Sequence, residues 1–101
     1  MSQEVSSTGR LKKAVEYKHG GDASYVQSVP VKKVFEGRTV WEGVVSVFEL
    51  ANHPIATRAY AWAYRLQNGK RRFVAVLHYG PVKGPRDAVS AAIVMQQNVT
   101  F

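Results

Sequence analysis

The chain has 101 residues, with 14 Lys or Arg against 7 Asp or Glu, a formal charge of +7 and a pI near 10.0; it can build one hydrophobic core and is short for two. The absence of cysteine excludes disulfides, thiolate nucleophiles and cysteine-ligated metals. No apolar run resembles a membrane span or a secretion signal, so a cytoplasmic protein without membrane partners is expected.

Residues 1–24 read as a flexible or short-helical arm, and residues 25–101 as a single α+β domain. Met1 to Gly9 is Ser/Thr-rich and aperiodic, as disordered segments are. Leu11, Ala14, Val15 and Lys18 have helical spacing, but Gly20-Gly21 stops the pattern after about two turns, and so short a helix is marginal unless it docks. Val26 to Phe35 predicts a strand that Pro30 assigns to a sheet edge. Glu36-Gly37-Arg38 is a turn, and Thr39 to Leu50 is a longer strand. Both of its alternating sets contain bulky apolar groups, so it is central and covered above and below. Gly43 within it marks a bulge, a bend or a close approach by another backbone. Ala51-Asn52-His53-Pro54 leads into the next strand.

Arg58 to Tyr79 predicts a β-hairpin around Asn68-Gly69, a pair suited to the two-residue turn with positive φ at both positions. That turn pairs Arg65 with Arg72, Tyr64 with Phe73, Trp62 with Ala75 and Arg58 with Tyr79. Because side chains alternate between faces, one face gathers Arg58, Tyr60, Trp62, Tyr64, Phe73 and Tyr79, and the other holds Ala59, Ala61, Ala63, Val74, Val76 and His78. Pro85 in a first turn and Asp87 opposing the positive end of the helix dipole predict a helix from Pro85 to about Gln97, with an apolar stripe at Val89, Ala92, Ile93 and Gln96 widened by Ala88 and Met95. Asn98 is its expected stop, and Val99-Thr100-Phe101 an expected docked tail.

The fold class is therefore α+β: a three- to four-stranded antiparallel sheet with a C-terminal helix packed on one face. The flat alanine face suits that helix. The aromatic face then needs a separate cover, either another segment of the chain or a second subunit, because so much aromatic surface exceeds what monomers leave in water. A homo-oligomer, a dimer or higher, is expected through the face centred on Trp62.

Between Glu49 and Asp87 stand seven Lys or Arg and no acid. Arg65, Lys70, Arg71 and Arg72 crowd the hairpin tip, and like charges facing each other across strands call for an anion, a carboxylate or open water. This tip is the candidate anion-binding site; a solvated end that deters edge-to-edge aggregation uses the same residues. Tyr60, Trp62, Tyr64 and Phe73 with Arg58 and Arg71 also have the composition of a single-strand nucleic-acid platform.

Catalytic groups are sparse. Gly80-Pro81-Val82-Lys83-Gly84 lacks the amide donors of a phosphate loop. His53 or His78 with Glu42 or Glu49 supplies the residue types for acid/base chemistry, although a hydrogen-bonded core histidine at 78 and a turn residue at 53 explain them as well. His19, His53 and His78 lack metal-ligand spacing, so no metal and no cofactor is expected.

Val40-Trp41-Glu42-Gly43, Val47-Phe48-Glu49-Leu50, His53-Pro54 and Arg58-Ala59-Tyr60-Ala61-Trp62-Ala63 give residues 40–95 a resemblance to small uncharacterised bacterial proteins of mobile, integron-type gene cassettes. The resemblance implies a bacterial accessory protein and assigns no activity or site residue. The reading as a whole is a non-enzymatic binding or assembly module with a basic edge; the alternatives are a nucleic-acid-binding protein and a small-molecule-binding protein or enzyme with a pocket between subunits.

Overall fold

The computed structural model describes residues 2–65 and 67–99, with side chains described over 8–64 and 67–94. Helix α1 (Ser2–His19) is followed by strands β1 (Asp22–Phe35), β2 (Arg38–Ala51), β3 (Arg58–Arg65) and β4 (Arg71–Leu77), and then by helix α2 (Pro85–Val99). The strands form one antiparallel sheet in the order β1-β2-β3-β4, so the α+β class and the C-terminal helix on one face are as the sequence predicts. The expected tail at Thr100 and Phe101 lies outside the described residues, as does Leu66.

One register step reorganises the faces. Arg65 pairs with Arg71, Tyr64 with Arg72, Ala63 with Phe73, Trp62 with Val74 and Tyr60 with Val76, one residue away from the expected pairing. Asn68 does not sit in a two-residue turn. Its Oδ1 accepts the Lys70 N–H at 3.0 Å, and Gly69 takes the positive φ (85°) of a longer loop with a left-handed glycine. The two-residue turn with two positive φ angles occurs instead at Glu36-Gly37 (51° and 78°), between the paired Phe35 and Arg38.

A one-residue slip moves a strand's whole side-chain set to the other face. Phe73, Ala75 and Leu77 thus join Ala59, Ala61 and Ala63, while Val74 and Val76 join Tyr60, Trp62 and Tyr64. The expectation that Phe73 belongs with the aromatics is corrected accordingly. Each face now mixes large and small groups, and each receives a helix.

The helices are exchanged relative to expectation. Leu11 and Val15 of α1 pack on Phe48, Leu50 and the alanine face, whereas Ala88 and Val89 of α2 pack on Tyr60 and Trp62. The argument that alanines admit a close helix holds, but the N-terminal helix uses it. Residues 1–24 are expected as a flexible or short-helical arm; within them α1 runs 18 residues before Gly20-Gly21, with Val15 fully buried. Tyr60 and Trp62 are 1% and 4% exposed, so the separate cover for the aromatic face is α2, from the same chain.

Glu16 fastens α1 to the sheet. Its Oε2 accepts the Ala23 N–H at 2.8 Å and the Lys12 ammonium at 3.0 Å, and these contacts, the amide first, hold its carboxyl below the ordinary 4.5. A lowered folded value means the contribution is present above the ordinary pKa and disappears as pH falls through the lowered one. The stability advantage of wild type over Glu16→Gln is therefore expected to be largest near neutrality and to close in acid, as read by urea unfolding across pH. A gap independent of pH would contradict the assignment.

β2 is central only over half its length. It pairs with β3 from Ser46 to Glu49 against Arg58 to Ala61, and there Val45 to Phe48 are buried. Beyond Ser46 the β1–β2 ribbon diverges from β3–β4 as a projecting arm, with Val40 and Val44 half exposed. Pro30 lies on β1, an edge strand, as its missing N–H requires.

Candidate binding pocket

Where β2 and β3 part, Trp41 reaches across the gap. Its indole meets that of Trp62 edge-to-face, with centroids 5.6 Å apart and planes at 71°. Trp41 lies flat along its own strand because Gly43, two residues on, has no side chain: a Cβ there would stand 3.0 Å from the indole edge. The close neighbour of Gly43 is this ring and not another backbone, a correction to one of the sequence readings.

Above the two indoles, α2 fails to fill the wedge. A cavity of about 190 Å³ remains, walled by Trp41, Trp62, Tyr64, Val89, Ala92 and Ile93. Cavities of about 150 Å³ with aliphatic and aromatic walls accept benzene, whereas sites for drug-sized ligands are about 300 Å³ or more. The space suits one ring or one branched aliphatic group. Cross-strand register sets Lys33 beside Trp41 and Arg72 beside Tyr64, so a cation flanks the pocket on either strand pair.

The hairpin-tip cations do not converge as expected. Arg71, not Arg72, opposes Arg65, whose side chain is outside the described residues; Arg72 falls on the pocket face, and Lys70 is in the loop. Of the expected aromatic face, Tyr60 and Trp62 are core, Tyr64 is half-buried in the pocket wall, Phe73 is on the α1 side, and Arg58 and Tyr79 are exposed. A stacking platform built on Tyr60 and Trp62 has no exposed ring faces there.

The histidines serve the fold. His53 Nδ1 accepts the Ile55 and Ala56 N–H groups at 3.2 and 3.1 Å, so its Nε2–H donates to the His19 carbonyl at 3.1 Å. Both nitrogens are committed to backbone, as befits a turn residue. His19 Nε2 donates to the Ala75 carbonyl at 2.8 Å, tying the end of α1 to β4. His78 shares a 2.7 Å hydrogen bond between Nδ1 and the Tyr60 hydroxyl. Burial pushes the Tyr60 phenol up from 10.0; Arg58, which also hydrogen-bonds it, pulls down, and Asp87 adds a smaller upward push. The hydrogen-bonded core reading of His78 fits this placement, although its face is that of Tyr60 and α2. Glu42 and Glu49 are exposed, and neither has a hydrogen bond to a histidine among the described residues.

No group of three or more potential metal ligands is assembled among the described residues, and no described helix is long and apolar enough to cross a membrane. No family model, no curated protein and no solved structure matches the chain.

Proposed function

We propose that this chain is a non-enzymatic binding module whose pocket between β2, β3 and α2 takes a single aromatic or branched aliphatic group carrying a negative charge. The supporting observation is the 190 Å³ apolar space walled by two crossed indoles and α2, with Lys33 and Arg72 as cross-strand neighbours of its walls. Among the described lining residues the one ionisable group is the Tyr64 phenol, which favours binding over catalysis. The ligand is a small organic anion or the acidic, ring-bearing residue pair of a partner polypeptide; the chemistry recognised is the same.

Both tryptophans of the chain line the pocket, so their emission reports occupancy directly. Phenylacetate is expected to shift it saturably, and phenethylamine, with the same ring and the opposite charge, much less. Ile93→Trp fills the space and is expected to abolish the phenylacetate response while the circular dichroism spectrum stays unchanged. Equal responses to both probes, or a response that survives the filled pocket, would overturn the reading.

A further inference from the structure

The projecting β1–β2 arm has two faces, and only one is covered. The side carrying Val29, Val31, Trp41 and Val45 packs under α2. On the other side α1 protects the base of the sheet through Phe48 and Leu50 and leaves the arm bare. Alternation along the paired strands places Pro30, Phe35, Val40 and Val44 on that bare side, with Phe35 65%, Val40 50% and Val44 56% exposed. Lys32 and Glu42 face each other among them, and Arg38 is opposite Phe35.

We propose that a second copy of this chain docks on this face, arm against arm, around a twofold axis that crosses β2 at Val40. Charge selects the occupant. The chain carries +7 overall and seven uninterrupted cations between Glu49 and Asp87, so two copies repel over most of their surface. The arm from Ser28 to Ser46 is the near-neutral exception, with Lys32, Lys33 and Arg38 against Glu36 and Glu42. An acidic partner would gain more on the basic hairpin than here.

The sequence order of these charges is self-complementary. With the axis normal to the strands at Val40, position 42 of one copy lies over position 38 of the other. Each Glu42 then meets the second copy's Arg38, and this happens twice, as an isologous contact requires. Val40 meets its own equivalent at the axis, and Lys32 comes over the second copy's Phe35 ring, a favourable cation–aromatic approach. The two bodies, with their α1 helices, lie at opposite ends and do not compete for space. Stacking of sheet faces is the available mode because edge pairing along β1 is obstructed by Pro30 and by register breaks at Tyr25/Gln27 and Lys33/Val34. The sequence-based expectation of self-association is thereby moved from the Trp62 face to the Val40 face.

Sedimentation velocity on the full chain over a concentration series is the test. Wild type is expected to show a concentration-dependent dimer, and Val40→Glu a monomer with an unchanged circular dichroism spectrum. Arg38→Glu and Glu42→Arg singly are expected to weaken association by about tenfold, and the double exchange to restore it. The pocket-filling Ile93→Trp should leave it intact, which separates this inference from the binding proposal. A wild-type chain that stays monomeric, a dimer indifferent to Val40→Glu, or a double exchange no better than the singles would overturn it.

Discussion

Val15→Asp is expected to leave the chain unfolded at neutral pH. Val15 has no exposed surface and sits where α1 meets Phe48, Leu50 and the alanines of β3 and β4. A carboxylate there has no hydrogen-bonding partner within the apolar cluster, and burying it or lifting the helix off costs several kcal/mol. Domains of this size have roughly 5–15 kcal/mol in total, so the loss is a large share of what holds the chain together. The informative control is Lys13→Asp, a charge change of larger sign two residues away on the exposed side of α1, expected to move stability by no more than about 0.5 kcal/mol. Urea unfolding followed by tryptophan emission measures both. Were residues 1–24 an undocked arm, the two substitutions would be equally silent, and that result would falsify the three-layer arrangement.

The contrast between Val15 and Lys13 also shows where the sequence was readable. Strong periodicity and punctuation were enough for both hairpins, for the edge position of β1 with its Pro30, and for α2 from Pro85 onward. The stop at Gly20-Gly21 was equally plain, with the Gly20 N–H closing on the Glu16 carbonyl. The start of α1 was not, because Ser2 to Gly9 offers no apolar stripe and helix propensity there is weak. The hairpin register was missed for a different reason. Asn-Gly serves both a two-residue turn and a longer loop with glycine in the left-handed position, and the choice depends on which face each flanking strand must bury. Here the outcome distributes Phe73 and Leu77 to the alanine side, giving α1 something to pack on. Propensity cannot see that, since it is a property of both helices at once.

The pocket was legible in part. Trp62 and Tyr64 were candidates from the start, while Trp41 was seen only as a member of an alternating strand. A usable signal was present in Trp41 and Gly43 at i and i+2: a large ring beside a missing side chain on one face of a strand allows the ring to lie down. What sequence could not supply was the parting of β2 from β3 after Ser46, which turns two core tryptophans into the walls of a cavity.

Trp62→Ala decides whether that indole belongs to the fold or to an interface. Trp62 is 4% exposed and touches Trp41, and α2 packs over the same cluster through Ala88 and Val89. Truncating a buried tryptophan costs about 3–5 kcal/mol, because the transfer energy of the ring is lost and the void beside it can only partly collapse. Here a cavity already adjoins the ring, so collapse is poorly supported and the upper part of that range is expected. The edge-to-face contact with Trp41 adds about 0.5–1.5 kcal/mol that leucine at the same position would also forfeit. Trp62→Leu should therefore be intermediate between wild type and Trp62→Ala in denaturant midpoint. The subunit number of whatever fraction remains folded should not change, since association is assigned to the arm and not to this face. If Trp62→Ala kept the wild-type denaturation midpoint but dissociated an oligomer, the indole would be an intersubunit anchor, and α2 would have to be packed elsewhere than over Tyr60 and Trp62.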